Sequence, residues 1–406
     1  MDRTARQLGP IAALALGLIG FGAGPCRAGA TTVARAGDGF LEVVDGSKVL
    51  HLKGSPREMG RQHGVLLRDD IRAQVRYLFD VKAKGFKPEV LGLKVPLDAK
   101  RLILSIAANQ RKYVPARFHE ELEGIAEGSG VALDEIVAAN FIPEMFHCSG
   151  FALAGSATRD GTMYHGRILD YGCDWQLQDH AVIVVAEPSG AIPFVNVTYA
   201  GFVGSVTGMN TRNISIGEMG GGGLGHWDGV PMAFLVRLAL EEADDLDEAV
   251  AIFRDHPRTC QYFYVVADGK SRKAVGLEGS WDAFKVVAMG ESEPRLPHAV
   301  PDAVLLSIGT RYEELAKRVK AGLGTFDADS ARHLMDRPVA MKSNLHSVLF
   351  ETSSTRFWVA NASTTGEPAS NQPYHAFQLT DLLTHRPDPA SPDLPTAPSA
   401  SPVATP

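Results

Sequence analysis

The sequence predicts an α+β protein in which antiparallel sheets are covered by helices. Residues 55–147 read as mostly helical, and at Cys148 the texture changes to short strand-like runs. The first two runs, 148–154 and 162–169, flank Arg159-Asp160-Gly161, which is turn chemistry with a glycine free to take φ > 0. Hairpins, then helices, then more strands argue against a doubly wound parallel sheet, in which strands and helices alternate.

In chain order, alternation over 41–52 marks strands. Gly54-Ser55-Pro56 then opens a helix, with Ser55 as its cap and Pro56 in the first turn. Met59, Leu66, Leu67, Ile71, Val75 and Leu78 follow at helical spacing. Further helices are expected around Leu102 and Ile106, over 120–127 up to Gly128, and over 133–140. After the hairpin, strands are expected at 181–186, 192–199, 203–208 and 213–218. A helical run reaches Glu242 and another covers 246–253. Strands return at 261–267, 273–278 and 283–288, helices at 311–321 and 329–336, and strands at 346–351 and 356–361. From His385 onward Pro, Ala, Ser and Thr dominate without periodicity. Such a tail buries too little apolar surface to order itself, so 385–406 is expected to be disordered.

The 406 residues include 45% hydrophobic types, enough for a normal globular core. Forty basic residues stand against 47 acidic ones, for a net charge of −7, with no basic stripe; no nucleic-acid partner is expected. Arg3 and Arg6 precede an apolar stretch over 11–23, and Ala28-Gly29-Ala30 is a small-x-small cleavage site. This reads as a signal peptide over 1–30, giving an exported, periplasmic or extracellular protein. The apolar stretch is shorter than the ~20 residues a membrane span needs, so no stable span is expected; an uncleaved anchor is the alternative. Cys148, Cys173 and Cys260 then remain. An odd number in an exported protein suggests one disulfide, here Cys173–Cys260, and one working thiol. Three unpaired thiols is the other reading.

Cys148 is the first candidate nucleophile. A thiolate attacks carbonyls, and an ordinary thiol needs activation to supply one. Arg167 would favour the thiolate electrostatically, and Asp170 could orient a base. That base could be the cysteine's own α-amine, whose pKa of about 7.7–8.0 suits general-base work, provided the His147–Cys148 bond is cut. A buried structural cysteine is the competing reading. A cysteine–histidine pair could instead use His165, His226 or His346, among which the sequence does not choose. Gly220 to Gly225 formally match a dinucleotide-binding glycine pattern, but a polyglycine run matches almost any such pattern. A loop that lets backbone approach the substrate or nucleophile fits it better. The His, Cys and Asp residues near 165–180 match no zinc spacing. Neither a cofactor nor a metal is expected.

Five segments, in order, carry a family resemblance: Gly54-Ser55-Pro56-Arg57-Glu58-Met59-Gly60-Arg61-Gln62-His63-Gly64, Glu121-Leu122-Glu123-Gly124-Ile125-Ala126-Glu127-Gly128, Cys148-Ser149-Gly150-Phe151-Ala152, Gly166-Arg167-Ile168-Leu169-Asp170-Tyr171 and Thr207-Gly208-Met209-Asn210. Together they resemble the penicillin acyl-coenzyme A acyltransferase-like family of self-cleaving acyltransferases and hydrolases, related to choloylglycine hydrolases. The resemblance implies an N-terminal-nucleophile hydrolase fold, an αββα sandwich of two stacked antiparallel sheets flanked by helices. It implies a helical pro-segment over 31–147 that stays bound as a small chain after a cut before Cys148, and a catalytic part over 148–384. It further implies Cys148 as nucleophile, Asp170 holding its amine, Arg167 beside the thiol, and Arg311 as a downstream site arginine. Asn210 and Asn344 are the candidate asparagines, Asn344 as a substitute oxyanion donor. Three departures stand out: Ile168 replaces a familiar Asn, Leu296-Pro297-His298-Ala299-Val300 stands where a Thr-Asn segment is usual before the Arg311 helix, and His147 replaces a small residue before the nucleophile. The implied reaction is hydrolysis or transfer of an acyl group from a small amide or thioester through an acyl-Cys148 intermediate. A catalytically inactive binding protein on the same scaffold is the alternative.

Overall fold

The computed structural model describes residues 30–84, 89–90, 93–94, 98–141 and 148–395. The expected signal segment and His147 lie outside them, apart from Ala30. The N-terminal part holds β1 (Thr31–Ala36), β2 (Gly39–Val44), β3 (Ser47–Gly54), α1 (Pro56–Leu66), α2 (Arg68–Arg76), the short pair β4 (Glu89–Val90) and β5 (Leu93–Lys94), α3 (Ala99–Gln110), α4 (Ala116–Ser129) and α5 (Leu133–Asn140). Then follow β6 (Ser149–Gly155), β7 (Gly161–Asp170), β8 (Ala181–Pro188), β9 (Phe194–Tyr199), β10 (Thr207–Asn210), β11 (Ile214–Gly222), α6 (Met232–Glu242) and α7 (Leu246–Asp255). The chain continues through β12 (Gln261–Asp268), β13 (Lys273–Ser280), β14 (Phe284–Ala288), β15 (Ala303–Leu306), α8 (Gly309–Ala321), α9 (Ala328–His333), β16 (Asn344–Glu351), β17 (Arg356–Asn361), β18 (His375–Gln378) and α10 (Leu379–Leu382).

Two large sheets result. One runs β1-β2-β3-β8-β9-β10-β11-β12-β13-β14, the other β15-β6-β7-β16-β17-β18. Among the described residues every strand pairing in them is antiparallel except β3 with β8, which run parallel from Val49 opposite Ile183 to Gly54 opposite Pro188. The apolar layers show the stacking. Val49, Val185 and Val197 of the larger sheet meet Val348, Phe350 and Phe357 of the smaller. Ala152 and Leu169 meet Met219 and Val265 in the same inter-sheet layer. Helices α1, α4, α6 and α7 cover the outer face of the larger sheet, where Leu122, Phe234 and Phe253 are buried. Helix α8 covers the smaller sheet through Tyr312, Leu315 and Val319, packed with Phe151 and Ile168. This is the helix–sheet–sheet–helix sandwich expected.

Helix α1 begins as its sequence requires. The Ser55 side chain accepts from the Glu58 N–H and the Glu58 carboxylate accepts from the Ser55 N–H, a reciprocal capping box with Pro56 at the first position. Helices α1 and α4 touch backbone to backbone: a Cβ at Gly60 would lie 2.0 Å from the Glu121 carbonyl oxygen. The two N-terminal motifs are thus one packing unit.

Several expectations are corrected. The 31–147 segment is not simply helical, because β1–β3 form one end of the larger sheet. Of the strand expected at 203–208, only Thr207 and Gly208 fall in a strand, since β10 spans Thr207–Asn210. The strands β15 and β18 were not expected; each is four residues long and too short to show a period. The tail is placed as far as 395. The Arg35 N–H donates to the Pro392 carbonyl at 2.9 Å, and the Leu394 N–H to that of Arg35 at 2.8 Å. Backbone pairing to an edge strand orders a segment that composition alone would leave loose. Cys173 and Cys260 are free thiols, so the expected disulfide is absent.

Candidate active site

Strand β6 alternates its faces. Cys148, Ala152 and Ala154 point between the sheets, and Phe151 and Leu153 point outward under α8. Strand β7 does the same, with Met163 and Leu169 inward and Tyr164 and Ile168 outward. With Gly150 opposite Arg167, the period of two places Cys148 and Arg167 on one face of neighbouring strands and Asp170 and Ser149 on the other. Cys148 lines a pocket of about 430 Å³ with Gly220, Gly221, Gly222, Phe263, Leu306 and Ser307. The glycine run therefore forms a pocket wall beside the nucleophile candidate. The ladder between β11 and β12 slips between Gly220 and Gly222.

Behind Cys148 lies a polar chain across the outer face. Asp170 accepts the Met341 N–H at 3.0 Å through one oxygen and the Arg311 guanidinium through the other. The same Arg311 nitrogen donates to Ser149 Oγ at 2.6 Å, and Ser149 Oγ lies 2.7 Å from Ser307 Oγ. Arg311 also donates to the Val339 carbonyl at 2.7 Å, which fixes its direction. Burial pushes the Asp170 carboxyl up to about 6, against the lowering pull of Arg311 and of the Met341 N–H. Ser149, Ser307 and the Met341 N–H were not anticipated. Serines this common give no sequence signal, and a backbone donor gives none at all.

Arg167 is fully buried. Its guanidinium meets Glu218 at 3.5 Å and donates to the Ile168 carbonyl. The partner Glu218 was not singled out from the sequence, because β11 is contiguous only with the larger sheet. His165 shares the inter-sheet layer; its Nδ1 lies 2.7 Å from Ser215 Oγ, and burial pushes its pKa down to about 3. His346 is held between Tyr199 and Thr207, at 3.2 and 2.9 Å. His226 stacks on Trp281 with ring centroids 3.7 Å apart.

The two asparagines part company. Asn344 pairs opposite Asp170 and so belongs to the site. Its amide nitrogen donates to the Leu169 and His346 carbonyls, at 3.1 and 3.0 Å, so both amide hydrogens are already committed. Asn210 is not brought to the site. Its amide donates to the Leu240 and Ala243 carbonyls and its oxygen accepts the Arg212 and Ile214 N–H groups. That is the duty of a turn anchor, at the end of the β10–β11 hairpin away from the Gly220 wall.

Residues 157–288 match the family model described as acyl-coenzyme A:6-aminopenicillanic acid acyl-transferase. A protein of Archaeoglobus fulgidus is 28% identical over 359 residues, covering 73% of this chain and 59% of its own length. The N-acylethanolamine-hydrolyzing acid amidase of Rattus norvegicus is 28% identical over 200 residues, 46% of this chain and 54% of its own. The chain thus spans between half and two thirds of the length of these relatives. A solved structure of the Caenorhabditis elegans orthologue of that amidase covers 51% of this chain and 93% of its own, at 20% identity and a TM-score of 0.41. The family model thus lies over β7 to β14, with three of the five motifs ahead of it and two inside it, and the chain is similar over that span to these acyl-transferases.

Proposed function

We propose that this protein is an exported cysteine amidohydrolase or acyltransferase that cuts itself between His147 and Cys148 and then works through the new N-terminal cysteine. The observation that carries the reading is Cys148 in the wall of a 430 Å³ pocket, one residue from the Ser149–Arg311–Asp170 hydrogen-bond chain. Relatives that hydrolyse N-acylethanolamines support an amide as substrate.

In this mechanism the Cys148 sulfur attacks the acyl carbonyl while its α-amine takes the thiol proton. Arg167, on the same face, favours the thiolate. Asp170, anionic above about pH 6, holds the amine and stays in place through Arg311 and the Met341 N–H. The oxyanion falls to backbone N–H groups, and the slipped glycine run at 220–222 is where the pocket offers them; each donor lost would cost about 2.7–4 kcal/mol of transition-state stabilisation. The leaving amine departs with the proton. Water or an acceptor amine then resolves the acyl-thioester. The pro-segment stays as the small chain because β3 remains paired with β8.

The test is intact mass before and after an electrophilic acyl probe. Wild type should comprise two polypeptides split at 147/148, with one probe adduct on Cys148. Cys148→Ala should remain one chain without adduct. An uncut wild type that turns over acyl amides would overturn self-cleavage; a cut protein that takes no probe and turns over no amide or thioester would favour the binding-protein reading.

A further inference from the structure

At the end of the sandwich remote from Cys148, two imidazoles converge on one buried carboxylate oxygen. His51 Nε2 lies 2.9 Å from Glu42 Oε1, and His385 Nδ1 lies 2.7 Å from the same atom. The three donor atoms all lie within 4.8 Å of one another. They come from three separate segments: Glu42 from β2, His51 from β3, and His385 from the chain beyond α10. Phe40 pairs opposite His51 and stacks flat on it, with centroids 4.0 Å apart and planes 6° off parallel. That stack fixes the plane in which Nε2 points. Glu42 is 2% exposed, and among the described residues its ion-pair partners are these two imidazoles alone.

We infer that Glu42, His51 and His385 form a binding site for a divalent transition-metal ion of the zinc type. Two imidazole nitrogens and one carboxylate oxygen are the ligand chemistry such ions select over magnesium or calcium, which want oxygen cages. An ion about 2.1 Å from each ligand in tetrahedral geometry needs ligand atoms roughly 3.4 Å apart. The 2.9 and 2.7 Å separations would open by about 0.5 and 0.7 Å to reach that spacing, within the reach of small side-chain rotations. Both rings bind as neutral imidazoles, so each moves its proton to the far ring nitrogen and the lone pair turned toward Glu42 takes the ion. The partly exposed His385 leaves the fourth position open to water.

The ion would tie the C-terminal extension to the N-terminal strands. If the chain is cut before Cys148, it would also join the two pieces, since Glu42 and His51 belong to one and His385 to the other. Metal binding itself does not depend on the cut, and the uncut Cys148→Ala protein should bind as wild type does.

The experiment uses untagged full-length protein, stripped with chelator and titrated with zinc chloride by calorimetry and with cobalt chloride by visible absorption. Wild type should bind one ion and give the intense d–d bands of a low-coordinate cobalt site. His385→Ala, whose side chain is partly exposed and whose loss should not prevent folding, should weaken binding by more than about 100-fold, beyond the cost of losing an outer partner alone. Zinc should raise the Tm of wild type and not of this variant. Absence of zinc binding by wild type at micromolar concentration, or unchanged binding by His385→Ala, would overturn the assignment.

Discussion

Arg311, in the first turn of α8, donates to the carboxylate of Asp170 at the end of β7, 141 positions earlier in the chain. The pair spans two elements that meet only in the folded sandwich, and it sits one hydrogen bond from Ser149. Asp170 is 2% exposed, so the guanidinium is its main source of opposite charge. Arg311→Met should cost about 3 kcal/mol at neutral pH, because it leaves a buried carboxylate uncompensated. It should also move the Asp170 titration further above about 6. The check is denaturant unfolding together with a pH–rate profile whose acidic limb shifts to higher pH. An unchanged limb would mean Asp170 does not report on turnover.

Asp170 itself makes a second prediction. Its folded pKa, about 6, exceeds the ordinary 3.8 because burial disfavours the anion. Between those two values the native state holds a proton that the unfolded chain has lost. Stability from this group is therefore full below about pH 4 and declines as pH rises through 6, by about 3 kcal/mol in all. Asp170→Asn should lack that decline, so the difference in unfolding free energy between the two proteins should vary with pH in this window. If the anion holds the amine of Cys148, the same variant should lose most turnover at every pH, however stable it becomes.

Cys148, Cys173 and Cys260 behave as three separate groups. Cys260 is pushed up to about 11 by burial, and burial also raises Cys173. Neither carries much thiolate near neutrality. Native protein with iodoacetamide at pH 7.5 should therefore label Cys148 first. In denaturant, all three should label without prior reduction, because none is in a disulfide. A mass increase of 2 Da on reduction would contradict this.

Much of the sandwich was legible because its strands are amphipathic or wholly apolar and its turns carry Gly and Asp. The hairpin from 148 to 169 and the capped start of α1 at Ser55 are examples. The linkage of Arg311 to Asp170 was legible only as a residue worth watching; no local pattern encodes a contact across 141 positions. Asn210 shows the opposite failure. The Gly-Met-Asn segment marks a hairpin end, and the Asn210 side chain is spent on four backbone groups there. The tail misled because composition reports what a segment can bury alone, and β1 supplies hydrogen bonds that composition does not see. The resemblance of the first two segments, by contrast, has a direct physical content: Gly60 and Gly124 let α1 and α4 meet at backbone distance.

The last prediction concerns how the N-terminal part is held on the rest. Arg237 of α6 donates to Glu121 of α4 at 2.9 Å, to Glu241 at 2.8 Å and to the Val203 carbonyl at 2.7 Å. Arg237 and both carboxylates are 2–3% exposed. Glu241 keeps Arg117 at 2.9 Å if Arg237 is lost, whereas among the described residues Glu121 has its ion pair with Arg237 and feels Arg117 only at longer range. Arg237→Met should therefore destabilise by about 3–5 kcal/mol at pH 7, as breaking a buried pair does. Burial already raises the pKa of Glu121. Without Arg237 it rises further, and the native state of the variant then holds a proton that the unfolded chain releases as pH increases. The deficit should accordingly shrink in acid and grow toward neutrality. Adding Glu121→Met to Arg237→Met should recover much of the loss, since an apolar pair of similar volume has no charge to desolvate. Thermal melts of the three variants at two pH values decide the matter; a double variant no better than Arg237→Met alone would show that the loss comes from packing against Phe118 and Phe194, which the Arg237 guanidinium also covers.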